Sequence, residues 1–199
     1  MYLKFIAIIS VCILTGCATN NTNQVENNFV SPPPQDKAQV VFMRFSSVGA
    51  ASKASLYDVT DGSLEPLGII YDKEKLIYLV KPGKRIFMVF SEAADFMEAD
   101  LLPGKTYYSI ATARFGGWDS RFSLWPIKTD SRADYYIGSA KVQNWIKKTK
   151  LVDSGEEAIA FYKRFQEEID LKYEKNWQKW KTITKGDLVR RTLSPEDGS

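Results

Sequence analysis

The 199-residue chain has no histidine, which removes Ser-His-Asp and Cys-His nucleophiles and histidine-ligated zinc. No serine has a lysine three positions on, so a Ser-x-x-Lys dyad is absent, and neither a phosphate-cradling P-loop nor a Gly-x-Gly-x-x-Gly turn occurs. What remains for acid–base work or a hard cation is the run Glu92, Asp95, Glu98 and Asp100. Paired-carboxylate chemistry needs a defined separation in space, and a solvated hairpin loop between two strands accounts for the same residues. Trp118 and Trp125, with Tyr107 and Tyr108, have the ring types of a glycan-stacking platform, although strand aromatics commonly pack in cores. Trp177 and Trp180 stand in a lysine-rich segment and offer a surface for anionic lipid or an acidic protein. The expected ligand or partner surface is therefore Trp118, Trp125, Trp177 and Trp180. No catalytic residue, metal or cofactor is expected, and no enzymatic activity.

Of the two cysteines, Cys12 lies inside an apolar run, Phe5 to Leu14, and Cys17 closes Leu14-Thr15-Gly16-Cys17. The run holds about ten residues, half of the roughly 20 that span a bilayer as a helix. Lys4 precedes it, giving the order of a targeting signal. The four residues resemble the lipobox of bacterial lipoproteins, [LVI]-[AST]-[GA]-C, at every position. That resemblance implies cleavage after Leu14, Thr15 and Gly16, with acylation (palmitate or similar chains) on Cys17. At about 0.8 kcal/mol per buried CH₂, two or more chains anchor stably. It also implies a mature chain without thiol or disulfide. Ala18 follows Cys17, with no aspartate at that second position, so by the same resemblance the outer membrane is favoured, on its periplasmic side rather than the cell surface.

The net charge of +3, from 27 basic and 24 acidic residues, is too balanced to imply nucleic acid as a partner. Hydrophobic residues at 44% supply an adequate core.

Residues 1–16 read as the signal peptide and 17–37 as the lipidated cysteine with a polar, proline-rich disordered tether. From 38 to 129 short apolar runs alternate with turn signals, Asp61-Gly62, Pro82-Gly83 and Pro103-Gly104 among them. Runs near 39–45, 56–59, 66–71, 76–80, 85–90, 105–113 and 121–127 predict about seven strands. With no helix between them to carry a parallel crossover, the expected fold is mainly β, an antiparallel β-sandwich. Residues 130–199 read as a helical C-terminal region. A short helix is expected over 140–146, then one long amphipathic helix of roughly 30 residues. Ser154 and Glu157 have capping-box spacing, and Gly186 would stop the helix. The stretch from Ser194 to Ser199 is expected to fray.

Val80-Lys81-Pro82-Gly83-Lys84 before an apolar strand, Leu67-Gly68, and Leu102-Pro103-Gly104-Lys105-Thr106-Tyr107-Tyr108 resemble a group of small bacterial lipoproteins with an uncharacterised β-sandwich domain. The Pro-Gly-Lys element is also similar to transthyretin-like or carboxypeptidase-regulatory-like sandwiches. These motifs are turns and core positions, so the resemblance implies a fold and lends no activity. The sequence thus points to a membrane-anchored envelope lipoprotein that binds or scaffolds an envelope protein. A glycan-binding module for peptidoglycan or a surface polysaccharide is the alternative, and a carboxylate hydrolase stands third.

Overall fold

Strand β2, Ala38–Arg44, is apolar on both faces and must be covered twice. Its even-numbered residues Ala38, Val40 and Phe42 enter one core, while Val41 and Met43 enter another. The computed structural model describes residues 23–25, 28–46, 52–114 and 121–199. The expected signal peptide, Leu14, Thr15, Gly16 and Cys17, and also Trp118, lie outside them.

The other strands are β1 (Asn23–Gln24), β3 (Ala54–Asp58), β4 (Glu65–Ile70), β5 (Glu74–Val80), β6 (Gly83–Phe90), β7 (Ala94–Leu101), β8 (Thr106–Arg114), β9 (Arg121–Ile127), β10 (Lys150–Asp153) and β11 (Thr192–Leu193). Helices are α1 (Ala140–Lys148), α2 (Gly155–Trp180) and α3 (Lys185–Arg190). One sheet has six strands in the order β1-β10-β5-β2-β8-β9, and the other five, β11-β7-β6-β3-β4. Phe42, Tyr107 and Leu124 from the first sheet meet Leu56, Phe87 and Met97 from the second in a shared core. On the outer face of the five-stranded sheet, Tyr57, Met88 and Phe96 are covered by Ile169, Tyr173 and Trp180 of α2. On the outer face of the six-stranded sheet, Val41 and Ile110 lie under Val142 and Trp145 of α1. The layers run helix, sheet, sheet, helix.

Two expectations are corrected. The sheets are mixed, because β2 pairs parallel with β8, β10 with β5 and β11 with β7. A parallel neighbour needs a crossover, and between β2 and β8 the chain makes it through the opposite sheet rather than through a helix. The strand count also exceeds seven. The largest omission is β7, whose acids suggested a loop. It pairs with β6 along its whole length, from Gly83↔Leu101 to Phe90↔Ala94. Its odd residues Met97, Ala99 and Leu101 fill the inter-sheet core.

Helix α2 ends at Trp180, short of Gly186, which lies inside α3. It bends at Phe165, where φ/ψ of −120°/20° interrupts the helix, and it lies along the sheet with Phe161, Tyr162, Trp177 and Trp180 all packed inward. The capping box does not form. The Ser154 hydroxyl makes no cap bond and instead accepts the Ile69 amide at 2.8 Å and donates to the Ile69 carbonyl at 2.7 Å. Gly68 permits this approach, since a Cβ there would stand 2.9 Å from Ser154 Oγ.

Ser194–Ser199 does not fray. Asp197 accepts the amides of Ser194 and Thr129, each at 2.9 Å, and Ser199 exchanges two backbone hydrogen bonds with Thr106. Part of the segment expected as a tether also has partners. Val25 donates to Leu151 O at 3.0 Å, and the Asn28 side chain bridges Thr149 O and Leu151 N. Among the described residues, no helix is long and apolar enough to cross a membrane.

Candidate functional site

Where β7, β8 and β9 come together beneath the end of α2, a cleft of about 300 Å³ opens. Its position follows from local chain chemistry. Thr184 caps α3, accepting the Asp187 amide at 3.1 Å. The α3 end then delivers Arg191, whose carbonyl accepts the Glu98 amide at 3.0 Å as β11 joins β7. Arg191 is thereby fixed at both its ends and lies 9% exposed. Its Nη2 donates to Asp95 Oδ2 and to the Phe96 carbonyl, the latter at 2.6 Å. Its guanidinium carbon stands 4.4 Å from the Trp125 ring centre and 5.4 Å from that of Trp180. A guanidinium held over ring faces is stabilised by the ring quadrupole.

Asp95 carries more than this one pair. Its Oδ2 accepts the Leu124 amide of β9 at 3.0 Å, and its Oδ1 lies 3.4 Å from Arg114 Nη2. Arg114 also donates to the Phe122 carbonyl at 3.2 Å. On the cleft's outer side Arg190 makes a fork to Asp134, with donor–acceptor distances of 3.1 and 3.0 Å, and reaches Asp187 at 3.8 Å. Lys179, the last basic residue of α2, also lines the cleft.

The structure brings two of the expected surface residues together and gives them an unexpected task. Trp125 and Trp180 both line the cleft, and both stand beside the Arg191 guanidinium. Trp177 packs on Phe96, with ring centres 5.2 Å apart. Tyr107 is fully buried, and its hydroxyl accepts the Leu102 amide at 2.9 Å. The acidic run is divided. Glu98 and Asp100 share a strand face with Phe96, Asp95 points to the opposite one, and Glu92 sits 3.8 Å from Lys172 Nζ. Among the described residues, no group of three or more acids is placed to hold a metal.

Sequence reasoning passed over Arg114 and Arg191. The available signal was Leu188-Val189-Arg190-Arg191-Thr192-Leu193, a basic pair flanked by apolar residues beyond the expected helix stop at Gly186.

A second buried cation, Arg44, ends β2. Its guanidinium donates to the Ser52 carbonyl and lies 4.4 Å over the Phe122 ring. Burial pushes its pKa down, partly offset by Asp72 and Glu74. It packs at the rim of the inter-sheet core, beside Phe122.

No protein-family model and no curated protein matches the chain.

Proposed function

We propose that the protein is an envelope lipoprotein, anchored by acyl chains on Cys17, whose folded body binds or scaffolds another envelope component without catalysing a reaction. The observation that carries this reading is Leu14-Thr15-Gly16-Cys17 at the close of a ten-residue apolar run, Phe5 to Leu14. A leader of that length suits export and cleavage rather than a lasting span. The engagement of Asp95 in structural contacts supports a binding role, since its carboxylate is committed to Arg191, Arg114 and the Leu124 amide. The face-to-face sheets support a likeness to transthyretin-like sandwiches, elaborated here by mixed strand pairing and by helices on both outer faces. With Ala18 after the cysteine, the outer membrane, periplasmic side, is the proposed address. Glycan binding is the second reading, favoured by a cleft that combines rings with cations.

Two experiments test the proposal. Metabolic labelling with a fatty-acid analogue should mark the wild type and leave Cys17→Ser unlabelled and released from membranes. A Cys17→Ser protein that stays firmly bound would overturn the anchor. Crosslinking in intact cells should then trap a recurring envelope partner, and a protein always recovered alone would overturn the scaffold. Unchanged retention of Trp118→Ala and Trp125→Ala on purified cell wall would remove the glycan reading.

A further inference from the structure

We propose that the cleft between β7, β9 and α2 is an oxyanion site, receiving a carboxylate or phosphate group of a small ligand or sugar unit against Arg114, Lys179 and Arg191. The inference rests on the reading of the molecule as a binding module, and it is independent of the anchor.

Charge is the first support. The lining includes the cations Arg114, Lys179, Arg190 and Arg191 and only two carboxylates, Asp95 and Asp187. Arg190 is answered by Asp187 and by Asp134 just beyond the lining. Asp95 alone faces two guanidiniums, the buried Arg191 and the half-exposed Arg114. Lys179 has no carboxylate within ion-pair distance among the described residues. A concave surface with surplus positive charge concentrates anions.

The second support is independent of charge counting. Arg191 lines the cleft, and among the described residues its guanidinium donates to protein acceptors through Nη2 alone. A guanidinium carries five N–H donors, so donors remain on it beyond the two spent on the protein. An oxyanion supplies acceptors to several donors at once, and planar guanidiniums suit carboxylate and phosphate geometry. The cleft volume of about 300 Å³ sets the size, near the lower bound for small-molecule sites. A single phosphorylated or carboxylated sugar fits, and a folded protein surface does not.

Trp125 and Trp180 flank Arg191, so their emission reports on the site. The full chain, purified in a neutral detergent, is titrated with inorganic phosphate, glucose 6-phosphate, glucuronate and neutral glucose, each up to the order of 10 mM, where a weak millimolar site saturates. A saturable emission change is expected for one or more of the three anions and none for glucose. Phosphate alone sufficing identifies a free-anion site, whereas a requirement for the sugar anions identifies an anionic saccharide. Arg114→Gln and Lys179→Gln should each weaken binding by about tenfold, with Arg114→Lys retaining most of it and the surface variant Arg132→Gln unchanged. Arg114 and Lys179 reach solvent, and because Arg114 also holds Asp95 and the Phe122 carbonyl, each variant is compared with the wild type by circular dichroism melting before titration. The proposal is overturned if the wild type shows no saturable response, if glucose binds equally, or if the Arg114→Gln/Lys179→Gln double variant binds like wild type. Partner capture in cells with no anion response would sink this site while leaving the scaffold reading intact.

Discussion

Asp95 Oδ2 accepts the amide of Leu124 at 3.0 Å and, on the same oxygen, a guanidinium N–H of Arg191. One atom thus ties β7 of the five-stranded sheet to β9 of the six-stranded sheet and to the turn after α3. It also closes an edge. β9 ends its sheet, and three of its outer backbone positions are closed to a further strand: the Leu124 amide is taken by Asp95, the Phe122 carbonyl by Arg114, and Pro126 has no amide to offer. Both side chains of the Asp95–Arg191 pair are only 11% exposed, so removing one leaves the other charged and poorly solvated. Asp95→Ala should cost about 3–5 kcal/mol in urea unfolding. The double variant Asp95→Asn/Arg191→Met should lie well above the sum of its single variants in stability. Additivity within about 0.5 kcal/mol would show that the two do not act together.

Ser154 discriminates between a helix cap and a strap onto the sheet. Its hydroxyl serves Ile69 N and O, so Ser154→Ala should destabilise by about 2 kcal/mol, from two buried backbone groups losing their partner. Aspartate is as good a cap as serine, but it has no proton to give the Ile69 carbonyl and would bury a charge. Ser154→Asp is therefore expected to be worse than Ser154→Ala. If aspartate restores wild-type stability in equilibrium unfolding, the strap assignment fails.

These residues also mark how far the sequence could be read. Strands whose apolar residues run uninterrupted, such as β2 and β6, were legible because burial on both faces leaves that pattern. The N-terminal position of α2 was legible from Ser154 and the acids behind it, yet the hydroxyl's partner was not, because Ile69 lies 85 positions away. β7 was hidden by its own charges: Asp95, Glu98 and Asp100 weaken the apolar signal, while the partners that make the buried Asp95 tolerable, Arg191 and Arg114, come from distant parts of the chain. β10 and β11, of four and two residues, are too short for periodicity to show. The cleft was half visible. Trp125 and Trp180 stood out by type, whereas the guanidinium they stand beside is a tertiary fact.

Phe96 is the point where α2 is held to the sheet. Its ring meets Tyr173, Trp177 and Trp180 at 5.9, 5.2 and 5.8 Å. Phe96→Ala should cost about 3–5 kcal/mol and accelerate amide hydrogen exchange in the last three turns of α2 more than in β2 or β8. Uniform acceleration across both sheets would mean that the helix does not open separately from the body.

Alkaline pH should unfold the protein through its tyrosines. Burial is the first cause that raises the phenol pKa of Tyr57, Tyr78, Tyr107, Tyr108, Tyr135, Tyr162 and Tyr173. Tyr71 is pushed up to about 12, again by burial, with the neighbouring Glu157 adding to it. A raised phenol keeps its proton in the fold but loses it near pH 10 when unfolded. Their stabilisation is intact below about pH 10 and declines above it. Lys53 and Lys75 act in the opposite sense: burial lowers their pKa, so the penalty for holding them charged is relieved as pH rises toward the lysine range. With no histidine in the chain, the melting temperature should be nearly flat between pH 6 and 8, then fall steeply beyond about pH 10. Phenolate absorbance and circular dichroism followed together provide the check. Most of the absorbance should appear only as the far-ultraviolet signal is lost, whereas full ionisation near pH 10 with the fold intact would show these rings to be open to water.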